Sequence, residues 1–258
     1  MHIFRDYKID ELHLQSIIKP IAEFCVESAI FRPGLVKLLK TLHKLRAAGK
    51  LDAIVMYTYQ DEYMGRKNDY GDYYNSHGQK VHIPKVLDYC FGYLATGIVQ
   101  TFFDKRITRD SHRSGLGLKE SDSLGQKSID LVFNKLQLHP SNDLRGVVFI
   151  DDCHLNTQFS RKYQLGPLTA LYIKDYRFTV SNIAPLLVSL KKLYKTFLKQ
   201  YISKEIFDEF MVKVSEQKLD SFGYYSECSP KNVPLAYDSV DLTALTTNIN
   251  HYYLTANF

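Results

Sequence analysis

Apolar residues recur at helical spacing in several stretches of the chain. The first stretch covers Ile9 to Ile30 and contains Pro20, where we expect the helix to break or bend because proline has no backbone N–H. The second covers Gly34 to Ala48, carries leucines along one face and is closed by Gly49. The same spacing predicts three further helices, at Ile83–Val99, Lys127–Leu136 and Val180–Tyr201.

Short and almost wholly apolar runs alternate with these helices. Runs of this kind are typical of parallel strands that are buried on both faces of a sheet. Their alternation with helices predicts an α/β fold built on a doubly wound parallel sheet of the Rossmann-like type. The predicted strands are Leu51–Tyr57, Gly146–Ile150 and Leu168–Ile173, with a brief fourth strand at Gln100–Phe103.

Polar stretches separate the predicted elements and suggest how the chain is organised. We expect a small exposed insertion at about residues 60–82 and a long loop, functional or mobile, between Asp104 and Gly125. The α/β core is expected to cover residues 1–202. Residues 203–258 are expected to form a helical extension of one or two helices, followed by a polar tail from Glu227.

The composition is that of a folded globular chain. Of the 258 residues, 45% are hydrophobic and 24% are charged. The formal net charge is +5, but the lysines and arginines are spread through the helical stretches, which favours an ordinary solvated surface over a nucleic-acid-binding face. An anionic substrate such as a phosphoester is compatible with this balance.

Cysteine usage and the N-terminal sequence bear on the compartment. The four cysteines lie far apart with no Cys-x-x-Cys pair, which argues against a zinc site and against a disulfide-stapled secreted fold. The N-terminus carries charges where a signal peptide needs an apolar run, and no apolar stretch reaches the length of a membrane span. We therefore expect a soluble intracellular protein, cytoplasmic or nuclear, with no membrane partner. The cysteines are Cys25, Cys90, Cys153 and Cys228.

Residues with complementary chemistry stand at the ends of two predicted strands. Thr58 follows the first strand, Asp151 and Asp152 follow a later one, and Lys127 opens the helix that leads to it. In open α/β sheets, ligands bind beyond the carboxyl ends of the strands. A hydroxyl and an ammonium such as those of Thr58 and Lys127 can hold phosphate oxygens, and a carboxylate pair can bind Mg²⁺. The pattern therefore predicts one site for a phosphoryl group and a metal ion.

Each of these residues also has an ordinary structural interpretation. Thr58 alone is equally well explained as a cap on the next turn, and Lys127 alone as a solvated cation at a helix start. The adjacent carboxylates of Asp151 and Asp152 repel each other unless a cation or hydrogen-bond donors hold them, which favours a site.

Further polar residues in the predicted long loop are weaker candidates. Arginines there could guide a phosphorylated substrate, although a solvated loop is favoured. His112 and His154 flank the predicted site, and loop histidines of this kind are usually polar surface. The many tyrosines near the insertion are better explained as amphipathic surface cover than as a stacking platform. The remaining candidates are Arg106, Arg109, Arg113 and Asp122.

Five motifs in a fixed order resemble those of the haloacid dehalogenase (HAD) phosphatases. Within that superfamily the series is most similar to the protein phosphatases that act on the C-terminal repeats of RNA polymerase II, and to their viral and protist relatives. The resemblance spans Phe31 to Tyr176, and it rests on order and spacing because each motif alone is weak. The motifs are Phe31-Arg32-Pro33-Gly34, Ile54-Val55-Met56-Tyr57-Thr58, Phe102-Phe103-Asp104 with Thr108-Arg109-Asp110-Ser111, Gly125-Gln126-Lys127-Ser128, and Val147-Val148-Phe149-Ile150-Asp151-Asp152.

The resemblance implies roles for the four candidates. Thr58 matches the second motif and Lys127 the third, which would make both residues phosphate-binding. Asp151 and Asp152 match the fourth motif, which would make them Mg²⁺ ligands. The implied substrate is a phosphomonoester, with protein phosphoserine as the candidate within that class.

The chain departs from the family at the first motif. Family members open with a strand that ends in Asp-x-Asp, where the first aspartate attacks phosphorus and the second acts as general acid and base. No Asp-x-Asp precedes Thr58; the nearest approach is Lys8-Ile9-Asp10-Glu11, which has a lysine at the nucleophile position. Three explanations stay open: Lys8–Glu11 is a degenerate first motif, native residues upstream of Met1 carry the motif, or the stretch after Glu227 supplies a substitute strand. Loss is favoured over degeneration because Met1–Phe4 is too short to replace the first strand.

Three functional hypotheses follow from the sequence. The first is a HAD-like domain that binds a phosphoryl group and Mg²⁺, with phosphatase ancestry and no turnover in this form. The second is a noncatalytic module that binds phosphopeptides or acts as a scaffold. The third is a different Rossmann-like protein in which Asp151-Asp152 is incidental.

Overall fold

The computed structural model describes residues 11–59, 83–138, 146–152, 156, 170–173, 183–200, 202–216 and 242–255. The predicted insertion at about 60–82 and the residues His154, Cys153 and Cys228 lie outside this part of the chain. The described elements in chain order are α1 (Glu11–Glu27), α2 (Leu35–Ala47), β1 (Val55–Tyr57), α3 (Ile83–Thr96), β2 (Lys105–Ile107), α4 (Arg109–Leu116), α5 (Ile129–Leu136), β3 (Phe149–Asp151), β4 (Ala170–Tyr172), α6 (Ile183–Thr196), a 3-10 turn (Leu198–Gln200), α7 (Lys204–Glu216) and α8 (Thr243–Thr255).

The described elements fall into two compact units, each of which has its own apolar core. The first unit contains the helices α1, α3, α6 and α7 together with the 3-10 turn. The second contains α2, α4, α5 and α8 together with the four strands. The helices in the described part of the chain lack the combination of length and hydropathy that a bilayer span needs.

The first unit is held together by apolar side chains from several helices. Ile18 of α1 and Cys90 of α3 are fully buried, and Leu190 of α6 packs in the same cluster. The rings of Tyr194 and Phe207 stack with their centroids 4.2 Å apart, which joins α6 to α7. Helix α1 continues through Pro20, and apolar residues on both sides of the proline pack into this core. The proline therefore does not break the helix.

The chain that follows α3 returns across one face of that helix. Asp88 is buried and its carboxylate accepts a hydrogen bond of 2.6 Å from the backbone N–H of Phe102. One turn later on the same face, Gly92 lies directly beneath the backbone of Gln100. The strand predicted at Gln100–Phe103 is therefore wrong: a side chain, not a neighbouring strand, binds this amide, and the strand forms instead at Lys105–Ile107.

The strands of the second unit form two parallel pairs. In the first pair β1 lies beside β2, with Val55 opposite Lys105 and Tyr57 opposite Ile107. In the second pair β3 lies beside β4, with Asp151 opposite Tyr172. Parallel pairing is what a doubly wound sheet requires, and the continuous sheet itself stays a prediction.

Helix α8 and helix α2 build the core of the second unit around β4. Leu245 and Ile249 of α8 are buried against Leu38 and Leu45 of α2 and Leu171 of β4. The expected patternless tail is wrong over Thr243–Thr255, which form a helix that buries Leu245, Thr246, Ile249 and Tyr253. These residues form a helix, so they supply no substitute strand.

The boundary expected between residues 202 and 203 does not coincide with the division into compact units. Helix α7 packs on α6, which lies before that boundary, and α8 packs on α2. The reason is that α7 buries its apolar face against its neighbour α6, across the expected boundary, and α8 buries its apolar face against the distant α2.

The segment between Asp104 and Gly125, expected to be a loop, contains β2 and α4. The Oγ atom of Ser111 accepts a hydrogen bond of 2.7 Å from the N–H of Thr108, which caps the start of α4, and Gly117 ends the helix with φ 68°. The buried position of α4 is His112, a polar residue. A search for apolar periodicity cannot detect a helix that buries a histidine.

We predict that Gly92→Ala is strongly destabilising and that Gly115→Ala is much less so. A Cβ at residue 92 meets the backbone carbonyl of Gln100, which cannot move aside, whereas a Cβ at residue 115 meets only the side chain of Leu131. The expected loss in the free energy of unfolding for Gly92→Ala is about 1–3 kcal/mol or more. Urea unfolding of both variants checks this, and equal losses would contradict the close approach of the chain to α3.

Candidate functional site

A lysine and an aspartate from different elements form a buried ion pair in the second unit. Lys127 stands two residues before α5, and Asp151 is the last residue of β3. The Nζ atom of Lys127 lies 2.5 Å from Oδ2 of Asp151, and the two side chains are only 10% and 4% exposed. Charges this far removed from water persist only when they are paired and hydrogen-bonded.

Asn156 binds both members of this pair. Its Nδ2 donates to Oδ1 of Asp151 at 3.0 Å, and its Oδ1 accepts from the backbone N–H of Lys127 at 3.1 Å. Since the backbone amide of Lys127 can only donate, the side-chain amide of Asn156 has one possible orientation. Asn156 therefore holds the carboxylate and the start of the α5 segment in one arrangement. Asn156 is not among the residues that the sequence pattern singles out, because its only signal there is a polar side chain shortly after a strand end.

Two tyrosine rings cover the ammonium of Lys127. Its Nζ lies 5.6 Å from the ring centroid of Tyr57 and 5.5 Å from that of Tyr59. The two rings are nearly perpendicular, with an angle of 88° between their planes. Cation–π attraction is strongest where water is excluded, so the rings add to the attraction of Asp151.

The hydroxyl of Tyr57 connects α4 to the start of α5 at this site. It is hydrogen-bonded to Nδ1 of His112, and it accepts from the backbone N–H of Ser128 at 3.1 Å. The other ring nitrogen of His112 bonds to the carbonyl of Leu124 at 2.8 Å. His112 is fully buried, so its interpretation as polar surface is wrong.

Burial raises the pKa of Tyr57 to about 12, and the hydrogen bond from Ser128 opposes the rise. The phenol therefore keeps its proton over the physiological range and remains available as a donor.

Thr58 lies between the two tyrosines that cover Lys127. Its backbone N–H donates to the carbonyl of Ile107 at 2.9 Å, which extends the pairing of β1 with β2 past Tyr57. Thr58 directly follows the last residue of β1, as Asp152 directly follows the last residue of β3. Asp152, the next residue after Asp151, is exposed.

Arg109, Arg113 and Asp122 form hydrogen bonds with the backbone. The Nε of Arg109 donates to the carbonyl of Tyr59 at 2.9 Å. The guanidinium of Arg113 donates to the carbonyls of Lys119 and Asp122, and the Asp122 carboxylate accepts from the N–H of Lys119 at 2.7 Å. Arg113 and Asp122 therefore close a turn, and Asp122 remains exposed to solvent.

No family model, curated protein or solved structure matches this chain. The resemblance to HAD phosphatases accordingly stays a prediction that rests on the motifs of the sequence. In the described residues, groups of three or more histidine, cysteine, aspartate and glutamate side chains that could hold a metal ion are absent. The carboxylates predicted as ligands are the adjacent pair Asp151 and Asp152.

We predict that Lys127→Met lowers the free energy of unfolding by about 3–5 kcal/mol, because it leaves the Asp151 carboxylate buried without a cation. The double variant Lys127→Met/Asp151→Asn should recover most of this loss, since neither charge remains. Lys192→Met is the matched control, because Lys192 forms an ion pair with Glu27 that is nearly as short, at 2.6 Å, but exposed. Its loss should lower the free energy of unfolding by less than about 1 kcal/mol. Urea unfolding measures all three, and similar losses for the two lysines would contradict the burial of the pair.

The raised pKa of Tyr57 predicts a loss of stability at alkaline pH. The folded chain keeps the Tyr57 proton up to about pH 12, whereas a tyrosine in the unfolded chain loses it near pH 10. Its contribution is fully present below about pH 10 and is lost as the pH rises towards 12. Tyr57→Phe should therefore lose stability less steeply than the wild type over that range. Unfolding measured at several pH values tests this, and identical slopes would rule it out.

Proposed function

We propose that this chain contains a HAD-like phosphatase domain that binds a phosphoryl group and Mg²⁺ around Lys127. In this form the domain does not hydrolyse phosphomonoesters. The observation that carries the proposal is the buried ion pair of Lys127 and Asp151 at the carboxyl ends of parallel strands. Ligands of open α/β sheets bind at such ends.

The charges at this position support an anionic ligand together with a metal ion. Asp151 neutralises Lys127, so the pair by itself has no net positive charge for a phosphate dianion. A divalent cation at Asp151 and Asp152 would restore that charge. Mg²⁺ is commonly held by one or two carboxylates plus phosphate oxygens and water, so two adjacent carboxylates fit its requirements. When bound, the ion would offset the negative charge of the phosphoryl oxygens.

The residues around Lys127 support binding without turnover. In the proposed chemistry an aspartate attacks phosphorus and a second one transfers a proton. The carboxylate in contact with Lys127 is that of Asp151, and in this proposal it is a ligand of the metal ion rather than a nucleophile. No Asp-x-Asp precedes Thr58 in the sequence.

A second candidate is a module that binds phosphopeptides. Arg109 bonds to the backbone of Tyr59, and the ring of Tyr59 lies over Lys127. A guanidinium and an aromatic ring beside a phosphate-binding lysine would contact peptide residues that flank a phosphoserine. Tighter binding of a phosphoserine peptide than of inorganic phosphate would favour this candidate.

We predict that the full chain binds inorganic phosphate in calorimetry and that Mg²⁺ strengthens the binding. Lys127→Met/Asp151→Asn, which removes both buried charges, should abolish it. Asp152→Asn should remove the effect of Mg²⁺ while keeping the fold, because Asp152 is exposed. Lys135→Met, an exposed lysine of α5, serves as the control and should bind as the wild type does.

Two outcomes would contradict the proposal in different ways. No heat of binding with phosphate, with or without Mg²⁺, would remove the phosphoryl site. Hydrolysis of p-nitrophenyl phosphate that disappears in Asp151→Ala would show an active enzyme and remove the claim of binding without turnover.

A further inference from the structure

We propose that His112 is a positioning residue for Lys127, acting through the hydroxyl of Tyr57. This inference rests on the proposed phosphoryl site and identifies what holds that site in place. His112 itself lies in α4 and has no role in the function proposed above. Its ring is fully buried, and both of its nitrogens are hydrogen-bonded.

The hydrogen-bond partners assign the tautomer of His112. The carbonyl of Leu124 can only accept, so the ring nitrogen Nε2 that faces it at 2.8 Å must carry the proton. In the neutral ring the other nitrogen, Nδ1, is then an acceptor, and the Tyr57 hydroxyl donates to it. The direction of both hydrogen bonds is therefore set by one backbone carbonyl.

The orientation of the Tyr57 hydroxyl in turn fixes the backbone next to Lys127. Because its proton is used on His112, its oxygen is turned to accept from the N–H of Ser128, at 3.1 Å. Ser128 also caps α5, since its side chain accepts from the N–H of Leu131 at 3.3 Å. The peptide that follows Lys127 is thus held from the β1 side by the relay from Leu124 through His112 and Tyr57.

Two consecutive amides around Lys127 have side-chain acceptors as partners. The N–H of Lys127 donates to Asn156, and the N–H of Ser128 donates to Tyr57. The ring of Tyr57 also lies under the Lys127 ammonium, 5.6 Å away. Loss of the acceptor at Nδ1 would let the Tyr57 hydroxyl rotate away from Ser128. A site whose cation is no longer preorganised binds its anion more weakly.

Two substitutions at residue 112 distinguish a role of His112 in positioning Lys127 from a role in packing the core alone. Asparagine places an oxygen near the position of Nδ1 and keeps an acceptor for Tyr57, but it loses the bond to Leu124. Glutamine places its nitrogen near the position of Nε2 and keeps the donor to Leu124, but it loses the acceptor. Each variant gives up one buried hydrogen bond, so their stabilities should be similar.

We expect His112→Asn to bind inorganic phosphate at least about fivefold more tightly than His112→Gln, because only the glutamine variant loses the acceptor for the Tyr57 hydroxyl. Tyr57→Phe should bind as weakly as His112→Gln, because it lacks that hydroxyl. Calorimetry with inorganic phosphate and Mg²⁺ measures the affinities. Equal losses in His112→Asn and His112→Gln would overturn the proposal, because His112 would then only stabilise the core.

Nitrogen-15 spectra of the histidine rings in the wild-type chain provide a test that needs no substitution. The expected signature for His112 is a protonated Nε2 and an unprotonated Nδ1 that accepts a hydrogen bond. The opposite tautomer would overturn the relay even if both variants at residue 112 failed to fold.

The failure of the proposed function is distinguishable from the failure of this inference. If the wild type binds no phosphate, the ammonium resonance of Lys127 still reports its position. It should then stay near its wild-type shift in His112→Asn and move or broaden in His112→Gln. Equal changes in both variants would overturn the positioning role.

Discussion

The buried attraction between Lys127 and Asp151 is the interaction on which the candidate site depends. Two opposite charges that are mostly removed from water each require the other, since either one alone would be buried without compensation. The two residues come from segments 24 positions apart in sequence. The ion pair can exist only if β3 and the segment before α5 are held at a fixed distance, so the geometry of the site and the stability of this unit have the same physical origin.

A network of polar groups holds that distance. Asn156 satisfies the remaining carboxylate oxygen and the amide of Lys127, and the hydroxyl of Tyr57 satisfies the next amide. Polar networks in which every group has a partner select one arrangement of the chain, because any other arrangement leaves a donor or an acceptor unbonded. In the first compact unit a stacked pair of aromatic rings and an apolar cluster join the helices, and the buried carboxylate of Asp88 binds the chain that follows α3.

Parallel strand pairing explains why residues far apart in sequence reach the same place. Tyr57 ends β1 and Asp151 ends β3, and each strand has a parallel neighbour. Lys127 contacts both the Asp151 carboxylate at the end of β3 and the ring of Tyr57 at the end of β1, so these two strand ends lie close together. Burial there strengthens the electrostatic interaction of a charged group with its neighbours.

The amino-acid sequence alone determined the helices whose apolar residues recur periodically. It also identified polar and charged residues beside the ends of predicted strands and helices. Helix α3 was predicted to begin at Ile83, and Lys127 and Asp151 were both singled out by their places beside a helix and a strand. Helix α4 and the relay through His112 were decided only by tertiary structure. The physical reason is that burial of apolar residues leaves a local periodic pattern, whereas a hydrogen bond such as that between Tyr57 and Ser128, 71 residues apart, leaves none.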